Sequence, residues 1–270
     1  IQSTGGTGYW VGEGKAKPLT SWTTARTIMT PLKVATIAAV TEEMLRRSSI
    51  VADAWIRDEL ARAVTARIDE TFIDPAAAAV AGVSPASITN GVTPIISTGT
   101  TADDIRADML ALSAAYRAAN NSTSGTVWIM PEGVAEALSM MVNPLGQAEF
   151  PGVSAEGGTF MGKPVITSEY APSDYDPDGA GAGVAGAIVV LAKAQDIFFG
   201  DEGGVQVDFS REASLEMADN PTGSSVTPTG ASMVSMFQTN SVAFRAERAL
   251  NWMKRRAEAV QVLASVNWGN

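Results

Sequence analysis

The 270-residue chain contains no cysteine and no histidine. The first absence excludes disulfides, thiolate nucleophiles and cysteine-ligated metals, and with them any trace of the redox compartment. The second removes the commonest general base and the commonest transition-metal ligand, so most familiar hydrolase mechanisms fall away. Long apolar runs are also lacking: none approaches the roughly 20 residues that cross a bilayer. The first residues carry neither the basic nor the apolar region of a signal peptide, so a protein without membrane contact is expected. Positive charge is scarce, with Lys+Arg 19 against Asp+Glu 29 and a formal net charge of −10, which disfavours a tight grip on a phosphate backbone. What is present is a chain that is 46% hydrophobic and 18% charged, globular in composition and long enough for one elaborate domain or two smaller ones.

The stretch from Gly12 to Leu45 is the most informative. Gly12, Gly14 and Pro18 interrupt any helix, while Lys15, Lys17, Thr20, Ser21, Thr23 and Thr24 are polar and β-tolerant, which predicts a two-stranded arm reaching away from the core. An isolated hairpin of this kind is marginal in water and needs another molecule to rest on. Thr41 is placed to cap a short helix from Glu42, and Ser48 or Ser49 a longer one. Along the longer helix Ile56, Leu60, Val64, Ile68 and Phe72 recur every four residues, a stripe that drifts by about 40° per step and winds round the cylinder. Such a helix packs over its whole length against a sheet. Asp58 and Arg62 are spaced for an i,i+4 pair.

Residues 74–100 read as loop, with a tight turn at Asn90-Gly91. Thr101, with Asp104 three residues on, opens a helix whose buried edge is Ile105, Met109, Leu112 and Tyr116. A short strand over Val127–Met130 follows, then a helix opened by Pro131 and closed by Asn143-Pro144-Leu145-Gly146. Beyond Gly162 the pattern becomes mostly β: Pro164–Thr167, Ala187–Leu191, Val205–Ser210 with Val205, Val207 and Phe209 on a buried face, then Met233–Phe237, Ser241–Leu250 and Ala259–Val266. Ser173–Gly186 and residues 218–231 read as exposed loops.

No motif with a chemical mechanism survives its context. Asp174, Asp176, Asp178 and Gly179 open like a calcium loop, but Ala185 stands where the bidentate Glu belongs. Gly181, Gly183 and Gly186 satisfy G-x-G-x-x-G, yet they precede a strand where phosphate binding needs a helix N-terminus. Nucleophilic catalysis would have to rely on Ser or Thr with a lysine or a carboxylate, but no G-x-S-x-G elbow is present, and neither Lys163 nor Lys193 has a partner that spacing identifies. Lys254, Arg255 and Arg256 read as a solvated basic turn or a subunit contact rather than a nucleic-acid site. The six tryptophans are scattered, which fits core and interface roles. Catalytic, cofactor-binding and metal-binding residues are therefore none, and no cofactor is expected.

Taken in order, several segments resemble the major capsid proteins of tailed phages, the Hong Kong 97-type family. WVGEGKAKPLTSWTTARTIMTPLKVATIAAVTEEMLRRSS from Trp10 is similar to the family's extended loop, strand and lead into its spine helix. WIMPEGVAEALSMMVNPLGQAEF from Trp128, GTFMGKPVITSEY from Gly158, and the closing VQVDFSREA and FRAERAL follow in the family's order. The resemblance spans nearly the whole chain and rests on order and spacing more than on any single motif.

It implies an α+β fold with a short N-terminal segment and extended loop (1–30), a peripheral domain with the spine helix (31–95, completed by about 201–256), and an axial domain (96–200, completed by about 257–270). It further implies a homo-oligomer of hexamers and pentamers closing an icosahedral shell round double-stranded DNA without sequence-specific binding. The balance of charge suits a shell that encloses nucleic acid without gripping it. Portal and decoration proteins are implied partners, and the virion, assembled in host cytoplasm, the location. Trp10, Glu13, Lys15, Lys17, Trp22 and Arg26 of the loop are expected to touch a neighbouring subunit. Some members crosslink a loop lysine to an asparagine, and Asn240 lies in a corresponding region, but for Lys15 and Lys17 ordinary ion pairing with a neighbour's carboxylates is expected. Two alternatives stay open: an encapsulin-like nanocompartment shell, disfavoured because no cargo-binding helix precedes Trp10, and a small Ser/Thr-Lys hydrolase.

Overall fold

The computed structural model describes residues 2–3, 7–21, 24–26, 28–47, 51–177, 185–219, 221 and 232–268. The chain divides into two compact units, Ile1–Thr30 and Pro31–Asn270.

In the first unit β1 (Gln2–Ser3) pairs antiparallel with β2 (Thr24–Ala25), in the register Gln2↔Ala25 and Ser3↔Thr24. Residues 7–21 between them are exposed and carry no strand. The Lys15 N–H donates to the Gly12 carbonyl at 3.2 Å, and Gly14 supplies the positive φ of 73° that this reversal requires. The Thr7 N–H donates to Thr20 Oγ1 at 2.9 Å, a second tie across the loop. The arm is thus a long exposed loop closed at its base. Its pairing partner lies upstream of Gly12, outside the stretch from which the sequence predicts the hairpin.

The second unit is built on two sheets. β3 (Leu32–Thr41) runs into α1 (Glu42–Arg47), the short helix expected after Thr41. Ser48 and Ser49, the expected caps of the next helix, lie outside the described residues, and α2 occupies Val51–Ile73. β4 (Ile95–Ile96), α3 (Ala102–Ala118), β5 (Thr126–Pro131) and α4 (Glu132–Met140) follow. Next come β6 (Val153–Ser154), β7 (Gly157–Phe160), β8 (Lys163–Ser168) and β9 (Ala187–Lys193). The chain closes with β10 (Ile197–Asp201), β11 (Gln206–Ser210), β12 (Ser214–Glu216), β13 (Met233–Ser235), β14 (Ser241–Lys254) and β15 (Val260–Val266).

β14 is the spine of the first sheet. β3 pairs along one edge of it from Leu32↔Leu250 to Thr41↔Ser241, while β10 and β11 share the other edge end to end. α2 lies across this sheet. Its Ile56, Leu60, Val64 and Ile68 are buried against Val242, Phe244, Ala246, Leu250 and Trp252. Phe72 is half-buried with its ring edge-on to Trp252 at 5.2 Å, and Ile73 takes the fully packed place at the helix end. That shift comes from the segment after α2, which folds back over its last turn. The Ile88 N–H donates to the Phe72 carbonyl at 3.0 Å, and Thr89 Oγ1 donates to the Ile73 carbonyl at 2.5 Å, so helix-end carbonyls find partners. The ion pair on α2 falls at Arg67–Glu70 (2.8 Å) rather than at Asp58–Arg62.

The second sheet has the strand order β4-β15-β9-β5-β8-β7-β6 among the described residues. Its central strands β15, β9 and β5 are buried on both faces, which is why β9 reads as an unbroken apolar run. Ile188, Val190 and Ala192 join the core under α2, while Ala187, Val189 and Leu191 join a second core with Ile105, Met109, Leu112 and Tyr116 of α3 and Val134, Ala135 and Leu138 of α4. The capping box of α3 is complete: Thr101 Oγ1 accepts from the Asp104 N–H, and the Asp104 carboxylate accepts from the Thr101 N–H.

Several expectations change in detail. β14 extends to Lys254, the first residue of the expected basic turn, because β10 pairs with it from Asp201↔Leu250 to Ile197↔Lys254. β13 stops at Ser235, and Met236 turns inward. Phe209, expected on a buried face, is 59% exposed. β4, β6, β7, β10 and β12 lie outside the strands that the sequence predicts; the two-residue strands β4 and β6 are too short to show a period. Gly186, the last glycine of the failed G-x-G-x-x-G, has a packing role instead. β15 bulges at Ser265 (φ 57°), and a Cβ on Gly186 would sit 2.7 Å from the Ser265 carbonyl carbon.

Candidate assembly surfaces

The arm presents its apolar and cationic side chains to solvent together. Trp10 and Leu19 are fully exposed, Tyr9 largely so, and Glu13, Lys15, Lys17 and Arg26 are exposed beside them. Trp22 lies outside the described residues. Residues 1–30 hold three cations, Lys15, Lys17 and Arg26, against the single acid Glu13, the reverse of the chain's balance. An exposed tryptophan at the end of a loop has no stabilising role within one copy; such residues are anchors when a partner covers them.

The basic triplet, read as a solvated turn or subunit contact, is spent inside the chain. Lys254 Nζ donates to the Asn90 carbonyl at 3.0 Å, and burial pushes its pKa down. Arg255 pairs with Asp196 at 3.7 Å, and Arg256 reaches Asn121 Oδ1 at 3.5 Å. These contacts lock the exit of β14 onto the Thr89–Val92 turn, the link between β9 and β10, and the end of α3. Three tryptophans, Trp128, Trp252 and Trp268, are core, while Trp10 and Trp55 are exposed. Trp252 donates to the Ala86 carbonyl at 2.8 Å and Trp128 to the Phe160 carbonyl at 3.1 Å.

Charge across the first sheet is ordered by pairing. Arg248 grips Asp201 with two bonds, at 2.5 and 3.3 Å. Those bonds and the Gly203 N–H hold the Asp201 carboxyl below its usual range. Asp69 on α2 moves the other way, raised by burial and only partly compensated by Arg248. Asp208 pairs with Arg245 at 2.9 Å.

A buried carboxylate the sequence reading passed over joins the two layers of the second sheet. Asp108 on α3 is 1% exposed and accepts from Ser97 Oγ at 2.6 Å, Thr98 Oγ1 at 2.8 Å and the Thr98 N–H at 3.0 Å. It fixes the loop between β4 and α3. The signal was present as an acid at a core-facing position, one residue before Met109.

Catalytic chemistry finds no assembled site among the described residues. Lys163 Nζ lies 5.2 Å from the centroid of the Trp128 ring, and Lys254 Nζ is bonded to a backbone carbonyl. No group of three or more metal-ligating side chains comes together among the described residues; Asp178 and Gly179 lie outside them. Among the described residues, no helix is long and apolar enough to cross a membrane.

An exposed, closed-base loop ahead of a long helix laid on a four-stranded sheet, with a second helix-covered sheet beside it, is the Hong Kong 97-type capsid architecture. A chain from Mycobacterium phage Cain superposes with a TM-score of 0.67 at 15% identity, covering 98% of this chain and 83% of that one. One from Mycobacterium phage Adephagia gives 0.65 at 15% identity with the same coverage. A chain from the capsid of an empty GTA particle gives 0.58 at 15% identity, covering 98% and 82%. In sequence, the model of the phage capsid family matches residues 1–265. The capsid polyprotein of Pseudomonas phage PAJU2 is 56% identical over 271 residues, 99% of this chain and 38% of that protein. The chain belongs to the phage capsid family. It spans well under half the length of that curated relative.

Proposed function

We propose that the chain is the major capsid protein of a tailed double-stranded DNA phage, whose activity is self-assembly and not catalysis. Copies form hexamers and pentamers that close an icosahedral shell round the genome, with a portal at one vertex and decoration proteins as further partners, built in the host cytoplasm and retained in the virion. Family membership along residues 1–265 carries this reading. The division of labour follows the expected boundaries: arm 1–30, peripheral part 31–95 with about 201–256, axial part 96–200 with about 257–270. In its favour, the four-stranded sheet draws on Leu32–Thr41 and Ile197–Lys254, and the seven-stranded sheet on Ile95–Lys193 and Val260–Val266. The arm is the intersubunit clasp, with Trp10 and Trp22 as apolar anchors and Glu13, Lys15, Lys17 and Arg26 pairing with a neighbour's charges, while single weak contacts are multiplied by symmetry.

Deletion of Lys15–Thr30 tests the clasp: stable shells are expected to be lost while circular dichroism and cooperative unfolding of the remainder persist. Unimpaired shells from the deleted chain would refute it. Nucleic acid extracted from native particles decides what is enclosed: double-stranded DNA fits the phage head, and protein cargo alone would mean a nanocompartment.

A further inference from the structure

The first sheet ends on one side in a bare strand. Among the described residues β3 pairs only with β14, so its other edge, from Leu32 to Thr41, carries no neighbouring strand. Long edges of this kind are ordinarily blunted by proline, bulges or several charges, because their backbone N–H and C=O groups template the addition of a further strand. β3 has no proline and runs along β14 without a bulge. Its single charge, Lys33, reaches Glu247 at 3.7 Å.

A groove of about 670 Å³ runs along the first part of that edge. Four consecutive residues, Leu32 to Ala35, line it, so it follows the backbone of the strand and not one face alone. Across from them stand Ile68 and Thr71 of α2 and, on the loop after it, Val80 and Val83, with Trp252 of β14 also lining the groove. Val80 and Val83 are 53% and 64% exposed on a loop that is already fixed. Val80 and Ser84 exchange N–H to carbonyl bonds at 3.0 Å, and the Ser87 N–H donates to the Ala77 carbonyl at 2.9 Å. The charged groups on the rim have partners within the chain: Arg67 pairs with Glu70 at 2.8 Å, and the Asp74 carboxylate accepts the Ala76 N–H at 2.8 Å. A bare strand edge facing a helix across such a groove accepts an extended, uncharged segment, which gains main-chain bonds from the strand and burial from the walls.

The arm carries a segment of that chemistry. Gly8-Tyr9-Trp10-Val11-Gly12 has no charge, is rich in residues that favour strands, and lies in the stretch that forms none. Trp10 is fully exposed, and Tyr9 and Val11 are exposed beside it. Alternation along an extended segment sets Trp10 on one side and Tyr9 with Val11 on the other. β3 offers a place to each side. Toward α2 lies the groove, with room for an indole. On the opposite face, which Ala35 and Ile37 share with Glu247 and Arg245, Ile37 is 54% exposed.

We propose that Gly8–Gly12 of one copy adds as a strand to the bare edge of β3 in a second copy, with Trp10 in the groove beside α2 and Tyr9 and Val11 beside Ala35 and Ile37. This rests on the clasp reading above and names the surface that the clasp holds.

The absence of native cysteine lets disulfide trapping in assembled particles locate the segment. Chains carrying Ala35→Cys are assembled together with chains carrying Tyr9→Cys, Trp10→Cys or Val11→Cys and then oxidised. Dimers on a non-reducing gel are expected with Tyr9→Cys or Val11→Cys, whose side chains share the face of Ala35, and not with Trp10→Cys. Dimers with Trp10→Cys as readily as with the others, or with none of the three, would overturn the strand addition. When the reacting pair is placed on one chain, bonds between chains are expected; a bond closed within a single chain would seat the arm in its own groove and overturn the proposal. A second variant guards against a geometry unsuited to a disulfide. Ala78→Trp, at an exposed position lining the groove, is expected to leave thermal unfolding of the unassembled chain unchanged and to raise the concentration needed for assembly roughly tenfold. Unchanged assembly with that variant contradicts the proposal. Shells lost on deletion of Lys15–Thr30, with none of these disulfides in the complete chain, would leave the clasp standing and refute the groove alone.

Discussion

Asp108 shows how a single residue can hold two layers in place. Its carboxylate has three donors from Ser97 and Thr98 and almost no water. Asp108→Ala strands those donors, and a loss of about 2–3 kcal/mol is expected by urea denaturation, with Asp108→Asn losing less because one acceptor survives. Asp201 carries a pH dependence whose sign is fixed by its environment. Its folded pKa is depressed by Arg248, so the pair stabilises the fold above the ordinary carboxylate range, and that contribution is lost as pH falls through the depressed value. Asp69, raised by burial, has the opposite sign. The difference between the native chain and Asp201→Asn therefore isolates the pair: it is expected to be constant near neutrality and to vanish in strong acid. Stability curves that remain parallel into strong acid would contradict it. Residue roles of this sort were hard to read in advance. Lys254, Arg255 and Arg256 look like a solvated run until one sees that their partners, Asn90, Asp196 and Asn121, come from distant parts of the chain.

At the scale of elements, periodicity told most where one face is buried over many residues. The four-residue stripe of α2 and the edge of α3 from Ile105 to Tyr116 are such cases, and the capping box at Thr101 marked a helix start to the residue. The stripe failed only at its end, where residues 74–92 wrap the last turn and Ile73 replaces Phe72 in the packed position. Leu60→Ala should cost about 2–5 kcal/mol by opening a cavity between α2 and β14, with chemical denaturation as the readout. A cost below 1 kcal/mol would mean that the helix does not rely on this face. What periodicity could not show is strand partnership. β1 and β2 are each two residues long, and β3 finds β14 across some two hundred residues of chain, so register is set by packing that no local window contains. Phe209 illustrates the same limit: its alternation is real and sets it beside Phe244 on the α2 face, but β11 is an edge strand, and the ring stays largely exposed with Arg57 of α2 5.9 Å away.

For the molecule as a whole, the lack of histidine and cysteine and the order of soft motifs led to the fold because many weak signals had to agree at once. The arm was legible as a segment that cannot stand alone, and its closed base and exposed Trp10 fit that reading. The proposed function stands or falls on whether copies of this chain build a closed shell. Cryo-electron microscopy of the purified protein under assembly conditions tests it most directly: closed icosahedral particles made of hexamers and pentamers are the expected result, and strictly monomeric protein at high concentration, without capsomers or shells, would contradict it.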